Sequence, residues 1–597
     1  MKQTLISLPN KIAPYRFKKV IFDIETESLE GNVIHCIVAK VIGGDTYLFP
    51  PDKLQEGANL IASADVLIGH NIIGFDIPIL NKHFDLDLTN HVEDTLVVSR
   101  LVNPVLTGGH SLENWGYLLY PNDVEKRKAK QPDSWENYTE EMGQYCIQDV
   151  ELNADVYYEL LKKSEEFSQE SIDLEHAVAK IMKEQELTGF MLDEQKATML
   201  SARLNSKMVE IEKKVHETFK PKWVDDKLIS PKFKKDGTLS KVGLSNEEMS
   251  KCLRTSNFKP FMRQKWTEFN LASRKQIGEY LIDFGWKPNK FTPTGQPIVD
   301  ETTLEKVKDI PEAALIAEFM MLQKRVAQVS SWLELSKDSR VHGFVIPNGA
   351  ITGRMTHRNP NVAQTPSINK PYGKECRECW TVPEGYKLVG IDASSLELRV
   401  LAHYMKNKEY INEIVNGDIH STNQTLAGLG SRSQSKTFIF ALIYGAGDAK
   451  IGSVVGGNAK AGSALRARFI RNLPSLGNLT SSVERAAQTR QHLKALDGRI
   501  IHIRKVYSSL NTLLQGGGAI IMKTALVLFY NRIKELELNA KFVANIHDEW
   551  QLEVIEEQAE QVGQLGVEAI QETARVLNLN CPLDGEYKIG DSWYDTH

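Results

Sequence analysis

The chain has 597 residues, is 42% hydrophobic and 25% charged, and carries a formal net charge of −5. This composition excludes a disordered or collagen-like polypeptide, and at ~150 residues per domain it predicts roughly four globular units. No run of about eighteen uncharged apolar residues reads as a membrane span, and the opening MKQTLISLPNKIAPYRFKK lacks a signal-peptide core, so a soluble intracellular protein with no membrane contact is expected. The small net charge leaves nucleic-acid binding open, because the placement of cations governs it rather than their sum.

Residues 18–160 alternate strand-like and helix-like pieces, the pattern of an α/β domain. In VIFDIETES the apolar run predicts a buried strand, and Asp23 and Glu25, two apart, project from one face of it. Two adjacent buried carboxylates are costly unless a cation shares the site, although a lone DxE also fits a strand end in solvent. Further on, HNIIGFDIPIL offers Asp76 beside a glycine turn, and YCIQDVELN places Tyr145 and Asp149 one helical turn apart. Asp94 in EDTLVVSR fits a helix cap, with membership of the same acidic shell as the alternative.

These four acids and a phenol, in this order, resemble the DEDD group of proofreading 3′-to-5′ exonucleases, in the variant whose third motif carries a tyrosine. By that resemblance Asp23, Glu25, Asp76 and Asp149 hold two Mg²⁺ ions and Tyr145 orients the attacking water.

From about 166 to 340 the pattern turns to long amphipathic helices, as in SIDLEHAVAKIMKEQELTG. The interruption at 220–269 is rich in lysine, interleaved with Trp and Phe, and poor in helical period. It reads either as a solvated loop or as a binding insertion. Six scattered cysteines include one close pair, Cys376 and Cys379, with no second pair to complete four metal ligands, so all six are expected to be free thiols.

Beyond 340, β and α pieces mix again, with a long helical stretch between about 404 and 495. YKLVGIDASSLELRVLAHYM reads as a strand ending at Asp392, a serine turn, and an amphipathic helix with Glu397. KFVANIHDEWQLEVI has two β-rich arms meeting at His547, Asp548 and Glu549, as in a hairpin. Between them, RSQSKTFIFALIYGAG sets Arg432, Lys436, Phe440 and Tyr444 four apart on one helical face.

These three segments resemble motifs A, B and C of the DNA polymerase I family (family A), in the right order. NGAITGRMTHRNPNVAQTP, GDIH, LDGRIIHIR and NTLLQGGGA match more of that pattern, in the version carried by replicative polymerases of short-tailed bacteriophages. The resemblance implies a multidomain α/β chain: an RNase H-like exonuclease domain (1–165), a thumb (166–340) with the 220–269 insertion, an α/β palm in two parts (341–403 and 506–597), and α-helical fingers (404–505).

It also implies roles. Asp392, Asp548 and the backbone carbonyl of Ala393 would hold two Mg²⁺ ions, with Mn²⁺ as a substitute and Glu549 as a supporting acid. His420, Arg432 and Lys436 would grip a triphosphate, while Phe440 and Tyr444 lie against sugar and base. Glu397 would crowd a 2′-hydroxyl, which favours DNA over RNA synthesis. Arg354, Gln515 and His547 would touch the minor-groove edge of the primer-template. The implied partners are primer-template DNA and dNTPs. A thioredoxin-like processivity factor at 220–269, a replicative helicase and a single-strand binding protein are further candidates, in the cytoplasm of an infected bacterium.

Rival readings are a nuclease with a degenerate polymerase half, a non-catalytic DNA clamp, and an RNA-synthesising relative. The sequence departs from the phage pattern in a longer N-terminal lead, in a 220–269 insertion shorter than the thioredoxin-binding one, and in Phe440, where phage relatives carry tyrosine.

Overall fold

A computed structural model describes residues 19–88, 91–127 and 131–597. The N-terminal stretch weighed above as a leader lies outside the described residues. The chain divides into two compact units: Glu194–Glu334 is one, and the chain up to Asp193 together with Leu335–His597 is the other.

In the larger unit, the N-terminal sheet has strand order β3-β2-β1-β4-β5, from β1 (Lys19–Thr26), β2 (Ile34–Val41), β3 (Thr46–Phe49), β4 (Val66–Gly69) and β5 (His91–Asp94). The central β1 pairs antiparallel with β2 and parallel with β4, so both its edges are hydrogen-bonded. Val20, Phe22 and Ile24 enter one apolar cluster, while Ile21 enters another with Cys146, Val150 and Ala154 of the Glu140–Lys163 helix. Strand alternation therefore turns Asp23 and Glu25 toward that helix.

The second sheet of this unit is antiparallel, ordered Ala540–Ile546, Glu549–Ile555, Tyr386–Ala393 and Gly585–Gly590. The Ser509–Glu535 and Ala559–Val576 helices contribute to the core beneath it, with Phe529 stacked on Trp550 at 5.6 Å. Ser509–Glu535 belongs to the one helix, among the described residues, long and apolar enough to cross a membrane, yet 78% of its apolar window is buried inside the protein. Its glycines permit close packing: a Cβ on Gly517 would stand 2.8 Å from Val400, and one on Gly516 would stand 2.7 Å from Ile501. Six helices fill the span from Lys408 to Arg490, in keeping with the helical pattern read there.

The smaller unit carries the long Glu194–Thr218 helix and, at 220–269, an element the helical period missed. Lys222–Ile229 and Phe261–Thr267 form an antiparallel two-stranded ribbon, and Asn246–Thr255 is a helix opened by a Ser245/Glu248 capping box. A register shift between Asp225 and Lys227 breaks the alternation that would have marked the first strand.

Candidate active sites

The N-terminal site gathers on β1 and its neighbours. Carboxylate oxygens of Asp23 and Glu25 and the Cys146 sulfur lie within 4.8 Å of one another. Asp76 opens the Asp76–Phe84 helix, accepts the Ile24 N–H at 3.1 Å, and shares a hydrogen bond with Asp23. Burial, with repulsion from Asp94, pushes the Asp76 carboxyl up to about 7. Asp149 is 2% exposed, one turn beyond Tyr145 on the Glu140–Lys163 helix, and Trp135 packs edge-on against Tyr145 at 5.9 Å.

Asp94 caps the Thr95–Val102 helix, as its sequence position suggests, through bonds from Leu96 N and Val97 N. It does more: it accepts Asn71 N at 3.0 Å and Ile73 N at 3.1 Å, which fixes the turn leading to Asp76. Burial raises its pKa, and His176 opposes that.

The second site lies where the antiparallel sheet ends. Asp392 pairs in register with Glu549 on one side and Glu586 on the other, and Ala393 N donates to the Asp548 carbonyl at 3.0 Å. Burial first, then Asp548, Glu549 and Glu586, drive the Asp392 carboxyl up to about 7, with Lys588 pulling the other way. Asp548 is also raised by burial. Its neighbour His547 takes a left-handed backbone, φ 59°, to make the tight turn. Desolvation and the Arg354 guanidinium hold the His547 imidazole below its usual value.

Glu549 behaves differently from the two aspartates. It is 6% exposed and accepts from Trp593 Nε1 and Gln551 Nε2, both at 2.6 Å, with His597 Nδ1 at 3.4 Å and the Arg377 guanidinium at 4.0 Å. Burial works to raise its pKa, but the His597 and Trp593 bonds overcome it and the carboxyl is lowered. Its oxygens are already committed to protein donors.

The Arg432–Ile443 helix buries Ser435, Phe438, Ile439, Leu442 and Ile443, and turns Arg432, Lys436, Phe440 and the capping Tyr444 to the other side, as the spacing predicted. Phe440 stacks on Tyr444 with centroids 6.3 Å apart and stands 6.5 Å from the His420 ring. Tyr444 OH donates to Glu397 at 2.6 Å, and Arg354 Nη2 reaches the same carboxylate at 3.1 Å. Gln515 is half-buried on the Ser509–Glu535 helix, beside Gly516, whose Cβ position is 3.4 Å from the Thr352 carbonyl.

Several site residues escape sequence reasoning. Asp418 in GDIH holds Arg432 in a two-pronged pair, Nε to Oδ2 at 2.7 Å and Nη2 to Oδ1 at 3.1 Å, while capping the Ile419–Ala427 helix. An acid just before a helix is a recognisable cap signal, though its second partner fourteen residues on is not. Cys146, Trp135, Glu586, Trp593 and His597 join these sites through contacts that only the folded chain creates.

Both acid clusters suit a hard divalent cation, being oxygen-rich, with Asp76 in the first and Asp392 and Asp548 in the second raised by burial. Burial holds the Cys146 thiol well above its usual pKa, so it stays protonated and is a poor ligand.

The two carboxylate clusters thus lie on two separate sheets. A family model for DNA polymerase family A matches residues 241–595, and one for the 3′-5′ exonuclease matches residues 8–165. The chain is 32% identical to the DNA-directed DNA polymerase of Escherichia phage T7, across 97% of this chain and 100% of that one. It is 24% identical to DNA polymerase I of Pseudomonas aeruginosa, across 92% of this chain and 57% of that one. Among solved structures, the POL domain of Pol1 from M. smegmatis, in complex with DNA primer-template and dNTP, shares the fold: TM-score 0.77, 18% identity, covering 96% of this chain and 95% of that one. The chain belongs to DNA polymerase family A and is a DNA-directed DNA polymerase with a 3′-5′ exonuclease domain.

Proposed function

We propose that this chain extends a DNA primer with dNTPs by two-metal nucleotidyl transfer, proofreads in its N-terminal domain, and replicates phage-type DNA in an infected bacterium. The observation that carries the chemistry is the pairing of Asp392 with the Asp548 turn, where two aspartates raised by burial meet without the protein donors that satisfy Glu549. The phage role rests on the T7 and T3 relatives, each 32% identical to this chain over 97% of its length.

Asp392, Asp548 and the Ala393 carbonyl would hold two Mg²⁺ ions, for which Mn²⁺ could stand in. Asp23, Glu25, Asp76 and Asp149 would do the same in the exonuclease domain. When bound, such ions lower the pKa of an attacking oxygen and stabilise charge on a leaving one. Glu549, fixed by Trp593 and His597, keeps the strand beside Asp392 in register. Arg432, Lys436 and His420 bind the triphosphate, and Arg432 must exchange Asp418 for it. Phe440 and Tyr444 form a stacked platform for base and sugar.

Glu397, braced between Arg354 and Tyr444, stands rigidly against a 2′-hydroxyl. Arg354, His547 and Gln515 sense the minor-groove edge of the nascent pair. In the exonuclease domain, Tyr145 orients the water and Trp135 limits the ring's movement. We take the domains as 1–165, thumb 166–340, palm 341–403 with 506–597, and fingers 404–505.

The 220–269 insertion would raise processivity by a salt-dependent grip on DNA phosphates, or through a small thioredoxin-like host protein. A helicase and a single-strand binding protein are the remaining partners we propose.

Primer extension with Asp392→Ala and Asp23→Ala tests the assignment. The first is expected to abolish synthesis and spare degradation of single strands; the second does the reverse. Loss of both activities in either variant, or synthesis surviving in Asp392→Ala, would refute it.

A further inference from the structure

The insertion ribbon has one face that is largely open to solvent among the described residues. Trp223 and Trp266 pair in register across its two strands, their rings 5.5 Å apart at 62°, and remain 61% and 53% exposed. Strand alternation puts Leu228 and Met262 on the same side, also exposed. On the opposite side, Arg263 bonds Glu248 of the Asn246–Thr255 helix, so that face is the covered one. Two indoles held open to solvent on a rigid ribbon are an unusual use of tryptophan, which normally buries most of its surface.

The surrounding charge identifies a polyanion as the occupant. Residues 220–269 contain 12 Lys and Arg against 6 Asp and Glu, a balance of +6 within a chain whose net charge is −5. Arg263 is paired with Glu248 and Lys222 with Asp283, and alternation turns Lys227 and Lys265 to the Arg263 side, leaving Asp225, bonded by Gln264, on the side of the indoles. The free cations are Lys232, Lys234, Lys235 and Lys241 of the segment that joins the two strands, exposed and with no ion pair among the described residues. Among those lysines the exposed Phe233 packs edge-on against the half-buried Phe258 at 5.1 Å. Aromatic faces interleaved with unpaired cations are the chemistry that binds unpaired bases by stacking and their phosphates by charge.

We propose that the Trp223/Trp266 face of the ribbon is a binding platform for single-stranded DNA. It takes bases on the two indoles and phosphates on the lysines of the 232–241 segment that joins the strands, without sequence preference. A duplex offers the same phosphates but keeps its bases stacked on one another, so the tryptophans discriminate single from double strand. The proposal rests on the reading that the insertion contacts DNA, and adds to it which form of DNA and by which atoms.

The test uses the full chain in EDTA, with its main cleft saturated by an unlabelled hairpin primer-template. Binding of labelled dT30 is read by fluorescence anisotropy, beside a labelled 30-base-pair duplex. Trp223→Ala with Trp266→Ala is expected to weaken dT30 at least about thirtyfold, the lower bound of the alanine penalty for two stacked bases. Duplex affinity and the circular dichroism spectrum stay unchanged. Tyrosine at both positions keeps a stacking face and restores dT30 binding to within about threefold of the starting protein.

Equal dT30 binding by the alanine pair overturns the proposal. So does a parallel loss for single strand and duplex, which would leave the phosphate grip standing but without stacking. A dimer in sedimentation that the alanine pair dissolves would assign the face to a second copy. Thioredoxin binding that the alanine pair abolishes, with dT30 binding intact, would assign it to that protein. Deletion of 222–266 separately tests the underlying reading: unchanged product length per binding event, with and without thioredoxin, removes processivity whatever the ribbon binds.

Discussion

Glu175 offers the sharpest test of how the larger unit is held together. Its carboxylate is fully buried and its Oε1 accepts from Lys523 Nζ and Arg499 Nη1, both at 2.5 Å, with the three side chains 0%, 2% and 4% exposed. The trio ties the Gln169–Thr188 helix to the Ser509–Glu535 helix and to the hairpin formed by His492–Lys494 and Ile500–His502. In Glu175→Leu, Arg499 keeps Asp497 at 2.8 Å, but Lys523 loses the carboxylate it touches. Breaking a buried pair from one side costs about 3–5 kcal/mol, because the remaining charge is left without compensation. Glu175→Leu combined with Lys523→Met removes that charge and is expected to recover more than half of the loss.

The pH dependence has a definite sign. Burial lowers the Lys523 ammonium from 10.5 to about 8 despite Glu175 beside it. Between those values the unfolded chain holds a proton that the folded chain has released, so this group's contribution to stability rises with pH across the window. Lys523→Met abolishes the rise. Glu175 is shifted the other way: burial raises it, but Lys523 and Arg499 win and the carboxyl is lowered. Its contribution is present above 4.5 and is lost as pH falls through the lower folded value. Urea unfolding followed by tryptophan fluorescence, with thermal inactivation half-lives as a check on irreversibility, measures both effects. A single variant as stable as the parent, a double variant no better than the single, or a pH slope that survives Lys523→Met would each refute this account.

Two further outcomes concern the nucleotide grip. If Phe440 lies against the nucleotide as proposed, it lacks the hydroxyl expected from the phage pattern, so an incoming nucleotide would satisfy its phosphates with its own 3′-hydroxyl, and a chain terminator would leave that bond unmade. A buried unsatisfied group costs about 1–3 kcal/mol, so Phe440→Tyr should raise dideoxynucleotide use about tenfold to a hundredfold in a competition assay, whereas equal use by the unmodified chain would refute it. Asp418→Asn keeps a helix-capping side chain but releases Arg432 from its surface pair. Exposed pairs contribute up to about 1 kcal/mol, so KM for dNTPs should fall by up to about fivefold with kcat unchanged; a rise in KM would mean that Asp418 orients Arg432 instead.

The elements that carried the sequence reading are those whose signal is local. Asp23, Glu25 and Asp392 sit on strands buried on both faces, where an acid in an apolar run stands out. The Arg432 stripe follows from helical period alone, and the structure turns it as expected. The ribbon at 220–269 was not legible, because a strand with one bare face and a register shift shows neither alternation nor a continuous apolar run. Nor was the trio of Glu175, Arg499 and Lys523, whose members stand more than three hundred residues apart across the Glu175 contacts. Such pairings depend on which surfaces meet, and no window along the chain contains them.

The same limit applies to deciding which acids are free for a cation. Asp76, Asp94, Asp392, Asp548 and Glu549 are all acids in apolar surroundings, and sequence alone ranks them by motif. The fold separates them by what their oxygens already hold. Glu549 is saturated by Trp593, Gln551 and His597 and its pKa is lowered. Asp94 is raised by burial, yet backbone N–H groups of Asn71, Ile73, Leu96 and Val97 occupy its oxygens. Asp392 and Asp548 are raised by burial, and Asp392 further by the acids around it. An acid held in that state folds at a cost that a bound cation would offset, so under the proposed two-metal reading metal affinity and local stability are coupled at Asp392 and Asp548, whereas the oxygens of Glu549 and Asp94 are already held by protein donors.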